Sequence, residues 1–107
     1  MDFHTDYTMT IGGQAVRGPA TIEVVNPATG QAFATAPDCG RDQLDAAVDA
    51  ARKAFKTWRK VPIEERQALV RKAGETLLAH AEELGRLFTK EQGRPVDAAR
   101  QEIQGAG

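Results

Sequence analysis

Beyond Pro37 the apolar residues of this chain recur every three or four positions, and upstream of it they do not. Leu44, Ala47, Val48, Ala51, Phe55 and Trp58 fall on one helical face. Leu69, Val70, Ala73, Leu77, Ala81, Leu84 and Phe88 repeat the pattern after Pro62. Any fold for the chain must give these stripes something apolar to lie against. Pro62 suits the first turn of the second helix, and Glu64 and Glu65 follow where the helix dipole favours acids. Gly93 suits a left-handed helix end, and Pro95 stops continuation. "VDAARQEI" then opens a third helix. At the front of the first, Cys39 stands in the cap position and Asp42 three residues on, at the place of a capping-box acid. The expectation for residues 38–107 is therefore three helices, the middle one unbroken from about Pro62 to Gln92.

The first third is punctuated quite differently. Gly12-Gly13 separates "MTI" from "QAV", a two-residue hairpin signal within Thr8 to Gly18. "TIEVV" is rich in β-branched residues and reads as a strand. Pro27 cannot donate to a ladder and pushes Asn26 towards extended geometry, while Gly30 permits a tight reversal into "QAFATAP". Residues 8–37 thus read as two β-hairpins, and residues 1–7 as a loose, flexible terminus.

Charge and composition narrow the functional classes. With 14 basic and 15 acidic side chains the formal charge is −1, and the two signs are interleaved. Such a surface has no general attraction for nucleic acid or anionic lipid. No apolar run approaches the length of a membrane span, and the polar, acidic start does not resemble a signal peptide. A single cysteine excludes an internal disulfide and fits a reducing compartment. The reading is a cytoplasmic chain without nucleic-acid or membrane partners. Three amphipathic helices, two short hairpins and only 6% aromatic residues also suggest part of a larger protein.

Taken in order, "VVNPATGQ", "DQLDAAVDAARKAFKTWRK", "PIEERQALVRKAGETLLAHAEELGRL" and "TKEQGRPVDAARQEI" resemble the N-terminal segment of the NAD(P)-dependent aldehyde dehydrogenase superfamily. The resemblance runs from about Thr8 to Gly107. It implies an α/β protein in which residues 1–107 are the N-terminal part of a Rossmann-like cofactor-binding domain. It also implies a homodimer or homotetramer, an aldehyde substrate, and NAD or NADP as cofactor. In that family an aldehyde adds to a cysteine thiolate, hydride passes to the nicotinamide, and water releases the acid. The groups that do this lie downstream, so the resemblance assigns no catalytic and no cofactor-binding residue here. Cys39, in "PDCGRD", does not match the context of the family's nucleophile. His4 and His80 have no partners at metal-ligand spacing.

One site does carry over. Many members resemble each other in a monovalent-cation site made of carbonyls just before the Asn-Pro step and an acid at the end of the long helix. On this chain those positions are Val24, Val25 and Glu91, with Na⁺ or K⁺ as the ion. Oxygen ligands suit such hard cations. A carboxylate at the negative end of a helix also calls for a compensating positive charge. The alternative function is a free-standing helical interaction module derived from the same family.

Overall fold

A computed structural model describes residues 7–107 as two antiparallel hairpins followed by four helices. The first hairpin pairs β1 (Met9–Ile11) with β2 (Gln14–Val16), in the register Met9 to Val16 and Ile11 to Gln14. Gly12 and Gly13 both have positive φ, 59° and 82°, as the tightest right-twisted hairpin turn requires. The second hairpin pairs β3 (Ala20–Asn26) with β4 (Gln31–Asp38). Asn26 organises its turn. The Asn26 Oδ1 accepts from the Ala28 N–H at 2.9 Å, and its carbonyl accepts from Thr29 at 3.2 Å and Gly30 at 2.8 Å. The strand stops because Pro27 has no N–H and Asn26 redirects the next three amides into the loop.

Helix α1 (Arg41–Trp58) begins one residue later than the cysteine cap implies. Its N-cap is Gly40, and the reciprocal acceptor is Gln43 rather than Asp42. The Gly40 N–H donates to Gln43 Oε1 at 3.2 Å. Gln43 Nε2 in turn donates to the Arg17 carbonyl at 2.7 Å, which ties the helix start to the segment after β2. A thiol is a poor acceptor. A neutral amide three residues into the helix both accepts and donates, and here it links two elements.

The expected unbroken middle helix is instead two, α2 (Ile63–Ala79) and α3 (Ala81–Gln92). His80 separates them with φ −112° and ψ 11°, outside helical geometry. It ends one helix, its N–H donating to Leu77 O at 3.1 Å. It also starts the next, its carbonyl accepting from Leu84 N at 2.9 Å. Glu82 and Glu83 then fill the first turn of α3, where the dipole favours them, and Glu83 lies 3.8 Å from His80 Nδ1. Gly93 closes α3 in the left-handed conformation, φ 73°, and α4 (Val96–Ala106) follows from Pro95.

The core sits at the crossing of α3 and α4, and it is built from small residues. Ala99 is 0% exposed, Ala81 5%, and Gly85 of α3 is also buried, while the buried Gly74 of α2 lies against Gly107 at the end of α4. A Cβ on Gly85 would stand 3.1 Å from Arg100 Cα, so the helices approach backbone to backbone there. The large side chains of the stripes are elsewhere. Helix α1 has no buried residue, and Trp58, expected to anchor a core, is 40% exposed. Phe55, Ile63 and Val70 are more exposed still. The first hairpin covers only an alanine strip of α1, where Thr10, Ile11 and Gly12 share a groove with Ala47, Ala50, Ala51 and Ala54. Amphipathic periodicity marked the right faces, but most of that apolar surface is open.

Candidate functional site

Helix α3 carries its C-terminal end to the second hairpin. Gly93 meets the turn directly, since a Cβ there would stand 3.0 Å from Pro27 Cγ. Two residues back, Glu91 lies beside β3 and β4. A cavity of about 190 Å³ opens between them, lined by Tyr7, Val24, Phe33, Ala34, Ala36, Leu87 and Glu91. Two of the three residues carried over as cation ligands, Val24 and Glu91, therefore share one cavity. Val25 is 46% exposed and does not line it. The strand register slips between them. Val24 pairs with Ala34 and Val25 with Ala32, which leaves Phe33 as an extra residue on β4. Such a bulge bends the strand and interrupts the ladder.

Glu91 is exposed, on the last turn of α3. Arg94, the nearest basic residue beyond the helix end, is turned elsewhere. It pairs with Glu102 on α4 and lies 5.9 Å over the ring of Phe88. Among the described residues no group of three or more His, Cys, Asp or Glu side chains could hold a metal ion. The one carboxylate lining the cavity is that of Glu91, and Val24 lines it from the bulged strand pair. The sequence did not single out Tyr7, Phe33 and Leu87. Phe33 stood only within the return strand "QAFATAP", Leu87 lay outside the apolar stripe, and Tyr7 stood inside the segment expected to be loose. Residues 1–6, His4 included, lie outside the described residues.

The other singled-out side chains do not join this site. Cys39 is free and exposed, and its thiol donates to the Gly40 carbonyl at 3.5 Å. His80 is at the α2–α3 junction. A polar cluster forms instead at the start of α3. Glu82 accepts from Arg86 Nε at 3.1 Å and Nη2 at 3.0 Å, and from Arg100 Nη1 of α4 at 3.3 Å. These bonds, Arg86 first and Arg100 second, hold the Glu82 carboxyl below its ordinary value of 4.5. A depressed carboxylate contributes stability that is present above the ordinary value and is lost as pH falls through the folded value. Glu82→Gln is therefore expected to flatten part of the decline in melting temperature below about pH 4.5. The effect is small, because the side chain is 54% exposed. Melting curves of both proteins across the acid range check it.

A dinucleotide needs a strand, a glycine-rich turn and the open N-terminus of a helix. Gly12-Gly13 closes a hairpin, and the first turn of α1 is already capped by Gln43. Among the described residues no helix is long and apolar enough to cross a membrane. The described residues thus comprise two hairpins, a helix-end acid beside a bulged strand, and a helix crossing built from small residues.

The scaffold has clear relatives. The model of the "Aldehyde dehydrogenase family" matches residues 15–107, and the chain belongs to that family. Malonate-semialdehyde dehydrogenase 2 of Geobacillus kaustophilus (strain HTA426) is 47% identical over 96 residues, which are 88% of this chain and 20% of that protein. The crystal structure of an NAD-dependent aldehyde dehydrogenase from Sinorhizobium meliloti superposes with a TM-score of 0.87 at 36% identity, over 92% of this chain and 20% of the other. An NADP-dependent glyceraldehyde-3-phosphate dehydrogenase from Bacillus halodurans C-125, complexed with NADP, superposes with a TM-score of 0.89 at 26% identity, over 92% and 21%. The chain spans about one fifth of the relatives it matches. The α/β class and the family resemblance are both borne out, with four helices in place of three. Nicotinamide use is a property of the family.

Proposed function

We propose that these residues are the N-terminal structural segment of an NAD(P)-dependent aldehyde dehydrogenase, an enzyme that oxidises an aldehyde to a carboxylic acid through a cysteine outside this chain. The observation that carries the reading is the match along residues 15–107 to a family whose members are about five times as long. The segment's work is mechanical. It supports the cofactor domain and supplies no catalytic group and no dinucleotide contact. The intact enzyme is an oligomer of identical subunits. The test is a graft, in which this chain replaces the matched residues of the Geobacillus enzyme. The graft is expected to oxidise malonate semialdehyde with reduction of the nicotinamide. A folded graft without turnover would contradict the reading.

The cavity at Glu91 has a separate role in the same reading. The carbonyls of Val24 and Val25 and the Glu91 carboxylate hold Na⁺ or K⁺, with a further ligand from the rest of the enzyme. The shared cavity of Val24 and Glu91, the strand bulge and the diversion of Arg94 to Glu102 support this. A cation there offsets an acid placed at the negative end of α3. Crystals soaked in Tl⁺ are expected to show an anomalous peak beside Glu91, and none there would remove the assignment.

A further inference from the structure

We draw no further inference here: the strongest candidate, the groove of about 410 Å³ where Arg17 and Arg41 flank the start of α1, is a helix N-terminus that Gln43 already ties to Gly40 and to the Arg17 carbonyl, and with Arg41 turned to Asp45 it has no second feature that points to a ligand.

Discussion

Gly85→Leu is expected to remove a large part of this chain's stability. The position lies in the interior of α3, where glycine is about 1 kcal/mol worse than alanine, so propensity favours the substitution. Packing opposes it and wins. A Cβ at Gly85 would already stand 3.1–3.2 Å from the Cα, Cβ and N of Arg100, and two of those atoms are backbone. The three further carbons of leucine must enter the same space, so α3 and α4 separate. That separation opens the region where Ala99 and Ala81 are buried, the only apolar side chains counted as core among the described residues. Overpacking of this kind costs about 3 kcal/mol at the upper end of its usual range. Small domains have only some 5–15 kcal/mol of net stability, and one without a large buried side chain belongs at the low end. Urea unfolding followed by circular dichroism reads the loss directly. Val70→Thr, at a 68% exposed position, is expected to change the midpoint by no more than about 0.5 kcal/mol. Equal midpoints for Gly85→Leu and the parent chain would show that the α3–α4 crossing does not hold the fold.

The contrast between Gly85 and Val70 shows what sequence pattern conveys and what it omits. A period of three or four states which face of a helix is apolar. It does not state whether anything covers that face, and the eye is drawn to Leu44, Phe55 and Trp58, which are all exposed. The residues that meet closely are Gly85, Ala81 and Ala99, because only small side chains let helix backbones approach. Turn chemistry was more readable. Gly12-Gly13, the Asn26-Pro27 step and Gly93 each meet a backbone demand that few other residues satisfy, and each stands where its turn or helix end was expected.

The helix boundaries fell between these extremes. His80 carries no strong breaking signal, and alanines on both sides favour continuation. The legible sign was the acidic pair Glu82-Glu83, which suits the first turn of a new helix better than the middle of an old one. Gln43 was similarly readable as a capping-box residue three positions after Gly40, but only if the glycine, not the cysteine beside it, is taken as the cap. Of the candidate site, the sequence resemblance supplied Val24, Val25 and Glu91. The cavity that joins two of them is lined by Phe33 from the strand bulge and Leu87 from α3, which are far apart in the chain. No local pattern contains that juxtaposition.

The second large effect concerns chemistry. Aldehyde oxidation by the thiol route needs a positioned nucleophile, a base and a seat for the nicotinamide. The one cysteine of the chain is exposed on the surface before α1, with its thiol directed at the Gly40 carbonyl. His80 is committed to a helix junction and Glu91 to a helix end. Among the described residues no glycine-rich turn leads into a helix start. Rate enhancement by such enzymes reflects several of these groups acting together, so removing all of them leaves nothing measurable above the uncatalysed rate. The most direct test is nicotinamide reduction by the purified, mass-verified 107-residue chain, supplied with aldehyde and either NAD or NADP. A scaffold segment gives no reduced nicotinamide above the protein-free control. Turnover proportional to chain concentration, and abolished by Cys39→Ser, would contradict the account.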